Sequence, residues 1–118
     1  MDIQAEPTQA LLSRLMDATA LRHLVLTHNL ANAETPGYLR QDVSFESELA
    51  EAMESGDLQH FQPTIGTDRT APVRADGNSV ALDAELAEIN KNAMLHQMAI
   101  QLMQTKLTMQ RIAITGKD

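Results

Sequence analysis

A chain of 118 residues with a net charge of −7 and no cysteine is too acidic for phosphate-backbone binding, which needs a basic patch, and has no disulfide or thiolate chemistry. Aromatics amount to 3% (Phe45, Phe61 and Tyr38), while Leu, Met, Ala and Ile are plentiful; this mix favours helices packed along stripes over a thick globular core. Residues 1–57 hold ten acids and three bases against six of each in residues 58–118, so the N-terminal half carries the whole excess.

Residues 1–7 read as a polar tail or helix start ending in Pro7. From Thr8 to about Ala33, apolar residues recur at three- and four-residue spacings, which predicts a helix. One register, 12, 16, 19, 23, 26, 30, 33, reads Leu, Met, Thr, His, Leu, Leu, Ala. A second, 11, 15, 18, 22, 25, 29, reads Leu, Leu, Ala, Arg, Val, Asn. Two adjacent stripes predict a helix that touches more than one neighbour.

The helix runs into Asn29-Leu-Ala-Asn-Ala-Glu-Thr-Pro-Gly-Tyr38. Pro36-Gly37 suits the centre of a type II turn, because proline presets φ near −65° and glycine accepts the positive φ that follows. Thr35, placed before a proline, is pushed towards extended geometry, so the helix closes ahead of it. Asn32, and Asn29 one turn earlier, are placed to bond the freed carbonyls and the turn backbone.

Beyond the turn, Val43 and Phe45 alternate with Asp42 and Ser44 as in a short extended piece. Ser44 to Ser55 predicts a short acidic helix stopped by Gly56. Residues 57–78, with Pro63, Gly66, Pro72 and Gly77, read as loops or a poorly regular hairpin. Asp76-Gly-Asn78 is a turn, and Asp83 is the expected N-cap of a last helix over about 84–114. Glu85 and Glu88 suit the dipole of its first turns, Lys106, Arg111 and Lys117 suit its end, and Gly116 is its stop. One register of this helix, 86, 89, 93, 96, 100, 103, 107, 110, 114, includes Leu86, Ile89, Ile100, Met103 and Leu107; a second runs 95, 98, 102, 105, 109, 112.

The predicted fold is mainly α: long N- and C-terminal helices paired as a coiled coil, with a short irregular, β-containing middle segment. Residues 1–38 and 79–118 would form the coiled-coil domain and residues 39–78 a small outer segment. Two helices cannot cover four stripes, so the leftover apolar surface is expected to meet other subunits or to stay exposed and poorly ordered in the free chain. The residues expected to pack are Leu11, Leu15, Val25, Leu86, Ile89, Ile100, Met103 and Leu107.

No catalytic, cofactor or metal site is expected. His23 and His28 lie about 140° apart around a helix, and His60 and His96 lack partners at ligand spacing. The acidic run from Glu46 to Asp57 has no nucleophile or phosphate loop beside it and reads as a solvated or subunit-facing surface. The Met and Leu stripes lack the basic flanks of a membrane-surface helix. The sequence shows no signal-peptide pattern and no apolar run of about 18 residues, so neither a cleaved leader nor a membrane span is expected.

Asn29, Asn32, Thr35, Pro36, Gly37 and Tyr38 together match Asn-x-x-Asn-x-x-Thr-Pro-Gly-Tyr, and through them the chain resembles the flagellar rod, hook and hook-associated axial proteins, most nearly the basal-body rod proteins. Asp42-Val-Ser-Phe45 and Asp76-Gly-Asn-Ser-Val-Ala-Leu-Asp83 add to the resemblance, which spans about residues 8–54 and 74–115. Where the family places a basic residue directly after the tyrosine, this chain has Leu39 and then Arg40.

The resemblance implies a non-enzymatic structural subunit of the proximal rod, polymerising through its terminal helices into a helical tube whose inner wall those helices line. It implies export through the flagellar type III export apparatus without a cleaved signal peptide, and assembly in the bacterial periplasm. The implied partners are neighbouring rod subunits and the rod-base protein. The rival expectation is a small acidic export chaperone or adaptor that stays in the cytoplasm, which would be a stable folded dimer when alone.

Overall fold

The computed structural model describes residues 7–116. The expected tail before Pro7 and the cation at Lys117 lie outside the described residues. In chain order the elements are helix α1 (Pro7–Ala31), strand β1 (Gln41–Ser44), helix α2 (Glu46–Ser55), a 3-10 turn (Leu58–His60), strand β2 (Thr64–Thr67) and helix α3 (Leu82–Thr115). The fold is mainly α, as the sequence predicts.

Helices α1 and α3 lie antiparallel, as bonds between them at three levels show. Near one end the Gln9 and Gln110 side chains exchange hydrogen bonds, at 3.0 and 3.2 Å. In the middle Asn92 Nδ2 donates to the Thr19 carbonyl at 2.8 Å, and Thr19 Oγ1 lies 2.6 Å from His96 Nδ1. At the far end Asn29 Nδ2 reaches Glu85 Oε2 at 3.3 Å. The stripe Leu12, Thr19, Leu26 and Ala33 is buried along this seam.

The second stripe of α1 meets the middle of the chain. Ala18, Val43, Phe45, Leu49, Leu58 and Phe61 form one buried cluster, with Leu11, Leu15, Leu21 and Val25 packed against it. The two stripes of α1 thus serve two neighbours. Arg22 ties the same surfaces together from the side: its guanidinium lies 4.1 Å from the Phe45 ring centre, bonds the Val43 carbonyl and is bidentate on Glu46 at 2.8 and 2.9 Å.

In the middle segment β1 and β2 pair antiparallel, with Gln41 opposite Thr67 and Ser44 opposite Thr64. The irregular hairpin is therefore two short strands with α2 and the 3-10 turn between them. Gly56 ends α2 in the left-handed conformation at φ 74°, and Asp57 N–H closes the last turn on the Ala52 carbonyl at 2.9 Å. This is the glycine C-cap expected of it.

Two expectations for α3 need correction. Asp83 does not cap it: the helix begins at Leu82 after Ala81, with no side-chain cap. Val80 is anchored through both backbone groups, N–H to Asn78 Oδ1 and carbonyl to Arg74, so the chain enters the helix earlier and Asp83 falls in its first turn. The buried line of α3 also runs one residue ahead of the expected register, through Glu85, Asn92 and Ala99. Leu86 and Leu107, at 43% and 50% exposed, lie outside the seam within the chain. The offset brings the Glu85 carboxylate inward, where it is bonded by Arg40 and Asn29.

The molecule measures 63 × 30 × 14 Å with a radius of gyration of 18.0 Å, against about 13.5 Å for a compact chain of this length. Helix α3, at 34 residues, spans about 51 Å and forms the long axis.

Candidate functional site: a clasp of two turns and an uncovered helix face

The Asn29 to Tyr38 stretch folds into one half of a clasp. The Tyr38 N–H bonds the Thr35 carbonyl at 3.2 Å across Pro36 and Gly37, and Gly37 sits at φ 77°. These are the features of the turn read from the sequence. Asn29 is fully buried and every hydrogen-bonding position of its amide is used. Its Nδ2 donates to the Gln41 carbonyl at 2.7 Å and to Glu85; its Oδ1 accepts from the Gln41 N–H and the Tyr38 hydroxyl, both at 2.9 Å. Asn29 therefore stitches α1 to β1, to the turn and to α3. Asn32 acts locally, donating to the His28 carbonyl at 2.9 Å and accepting from the Thr35 hydroxyl at 3.1 Å.

The other half is the segment from Arg74 to Glu85. Asn78, also fully buried, donates both Nδ2 hydrogens to the first turn, to the Asn32 and Thr35 carbonyls at 2.9 and 2.8 Å. Arg74 bonds the Ala33 carbonyl at 2.7 Å and the Val80 carbonyl at 2.6 Å, and so satisfies a carbonyl left free where α1 ends. The Gly37 N–H bonds the Asp76 carbonyl at 2.9 Å, and the Ser79 N–H bonds the Tyr38 carbonyl at 3.0 Å. Backbone meets backbone where the halves touch: a Cβ on Gly77, which lies at φ 84°, would sit 3.2 Å from Gly37 Cα.

At the centre is an ion-pair network. Arg40, mostly buried, bonds the buried carboxylate of Glu85 through Nε and that of Asp68 through Nη1 at 2.7 Å. Burial alone would lower the Arg40 pKa, but the bonds to Glu85 and Asp68 outweigh it and hold the cation firmly charged. The Asp68 carboxyl is held below its ordinary value by the Thr70 hydroxyl and N–H and by Arg40. The Tyr38 phenol is pushed up by burial and by the Glu85 carboxylate.

All six signature residues thus lie in one place, with Pro36 on the outside and Asn29 at the heart. Arg40, Asn78 and Glu85 were not singled out as site residues. Arg40 had only its place two residues after the signature to mark it, and Glu85 read as a helix-dipole acid although Arg40 claims it.

Of the residues expected to pack, Leu11, Leu15 and Val25 lie partly buried against the core cluster, and Ile89, Ile100 and Met103 are partly buried on α3. The rest of the apolar surface of α3 is open. Met94, Met98, Leu102 and Met109 are 51–73% exposed and share one face by spacing, while Leu86, Leu107 and Ile114 are exposed elsewhere on the helix. No helix among the described residues is long and apolar enough to cross a membrane, and no group of three or more potential ligands is placed to hold a metal ion. His60 does have an acidic neighbour, Asp57, with Nδ1 and Oδ1 2.5 Å apart.

No family model matches the chain. It is similar to the flagellar basal body rod protein FlgB of Escherichia coli (strain K12), 31% identical over 108 residues that cover 75% of this chain and 78% of that protein. It resembles equally the protein so named in Cereibacter sphaeroides (strain ATCC 17029 / ATH 2.4.9), 31% identical with 81% and 84% covered. The likeness extends to the FlgB of Borrelia hermsii, 26% identical with 72% and 78% covered.

Proposed function

The chain belongs to the FlgB family of flagellar basal body rod proteins, and from that membership we propose that it is a structural subunit of the proximal rod that assembles through its terminal helices. The observation that carries the assembly step is the open face of α3. A 34-residue helix buries one line of residues against α1 and leaves Met94, Met98, Leu102 and Met109 to solvent. Completing the burial of four such partly covered side chains is worth on the order of 1–2 kcal/mol each, so contact with a neighbour supplies the burial that this face of α3 lacks in the single chain. Leu86 and Leu107 offer a further exposed apolar surface to other subunits, while Leu11, Leu15 and Val25 hold the middle segment to α1.

In this reading residues 1–38 and 79–118 form the assembling part and residues 39–78 point away from it. The clasp fixes where the chain leaves the helix pair and in which direction. Identical contacts repeated without closure build a helical tube, and no catalytic step is involved. Partners are other rod subunits and the rod-base protein; the route is the flagellar type III export apparatus without a cleaved leader, and assembly takes place in the periplasm. The relatives lend nothing to an export chaperone.

Basal bodies isolated from flagellated cells that make an epitope-tagged chain are the test. The tag is expected in the rod fraction, at a position that electron microscopy locates next to the membrane-embedded base. A chain that stays wholly cytoplasmic, folded and dimeric in cells with complete basal bodies would overturn the reading.

A further inference from the structure

A groove of about 390 Å³ runs between α3 and the β1–α2 side, lined by Met94, Leu95 and Met98 on one side and bordered by Asp42 and Glu88. At its floor Asn92, 3% exposed, is tied to α1 by its Nδ2 on the Thr19 carbonyl. Among the described residues neither Asp42 nor Glu88 is in an ion pair. Arg22, Glu46 and Lys91 border the groove too; Arg22 and Glu46 pair with each other, and Lys91 offsets only one of the two remaining charges. The groove therefore suits a donor-rich cation with apolar flanks.

The far end of α3 carries such a group. Arg111 is exposed and in no ion pair among the described residues. Leu107 and Ile114, 50% and 80% exposed, stand four residues before it and three after, on the same face. Asn92 and Arg111 lie on one rigid helix about 28 Å apart, so a chain cannot fill its own groove.

We propose that the groove receives the Arg111 end of α3 from a second copy of this chain. Arg111 donates to the carboxylates of Asp42 and Glu88, and Leu107 and Ile114 cover Met94 and Met98. Donor and acceptor surfaces sit on different parts of the molecule, so the contact is heterologous and repeats from copy to copy. It rests on the assembly reading above and names the surface used.

The native chain has no cysteine, so Met98→Cys with Ile114→Cys in one chain gives a clean test. These positions are about 24 Å apart along the helix, beyond disulfide reach, so any bond joins two copies. Mild oxidation of basal bodies containing this variant is expected to give a ladder of linked multimers, absent when Arg69→Cys replaces Ile114→Cys. Arg111→Glu or Glu88→Lys alone is expected to lower the ladder at least about tenfold, and the two together to restore much of it. Basal bodies that contain the chain but yield no ladder, or a photo-crosslinker at position 98 that joins it to a different rod protein, would sink this contact and leave the rod reading standing. Absence of the chain from basal bodies would instead count against the rod reading itself.

Discussion

Glycine does two different jobs at neighbouring points of the clasp. Gly37 and Gly56 both hold positive φ, and a Cβ at either would meet no atom within 4 Å, so valine costs each about 1–2 kcal/mol through the backbone alone. Chemical denaturation should show similar losses for Gly37→Val and Gly56→Val, whereas motility and rod yield should fall further for Gly37→Val, whose turn lies in the clasp proposed to set where the chain leaves the helix pair. Gly77→Ala adds the close approach to Gly37 and should be more destabilising than Gly37→Ala. Glu85→Ala leaves the Arg40 guanidinium with only Asp68 in a buried setting, a loss of about 3–5 kcal/mol, while Asp68→Ala costs about 1 kcal/mol; urea melts at pH 7 separate them. The depressed carboxyls of Asp68 and Glu46, the latter held down by Arg22, contribute stability above about pH 4. That contribution is lost as pH falls through their lower folded values. The raised Tyr38 phenol acts in the opposite sense, and its contribution fades as pH climbs beyond about 10. Stability measured against pH should therefore decline at both ends, with Asp68→Asn flattening the acid side and Tyr38→Phe the alkaline side.

Between elements, the useful contrast is Leu26, 1% exposed in the seam, against Leu86, 43% exposed beside it. Leu26→Ala should cost the isolated chain about 2–4 kcal/mol, whereas Leu86→Ala should change its melt by no more than about 0.5 kcal/mol yet reduce incorporation into basal bodies. A large melt effect for Leu86→Ala would assign that side chain to the single molecule. The same contrast explains what was legible beforehand. Both stripes of α1 were readable because each is mostly apolar and each finds its own neighbour. The stop at Gly56 and the Pro36-Gly37 turn were readable because their backbone angles have few other occupants. The rotation of α3 was not, since its buried line is Glu85, Asn92 and Ala99, an order that hydrophobic periodicity ranks below the Leu and Met stripes it leaves outside. Nothing local marks an acid for burial when its cation lies 45 residues away.

At the scale of the molecule, one long helix carries a shorter body along its side. X-ray scattering from the dilute chain should return a radius of gyration near 18.0 Å; a value close to that of a compact globule would contradict the elongated arrangement. Amide exchange should be slowest in the clasp and at the Phe45 cluster, and quickest beyond Gln110, which bonds Gln9 close to the start of α1; assembly should slow that last stretch most. The clasp also bears on how such a chain tolerates change in length. Tyr38 and Arg40 leave it, and Ser79 returns to it, within hydrogen-bonding distance of one another, so everything between forms a loop with its two ends fastened side by side. Lengthening a loop so anchored adds only slowly to its closure entropy, about 0.6 kcal/mol per doubling. New sequence spliced between the exposed Pro72 and Val73 would consequently hang outside an unaltered helix pair, and the molecule is in effect a standard fitting onto which outer parts of many sizes can be mounted.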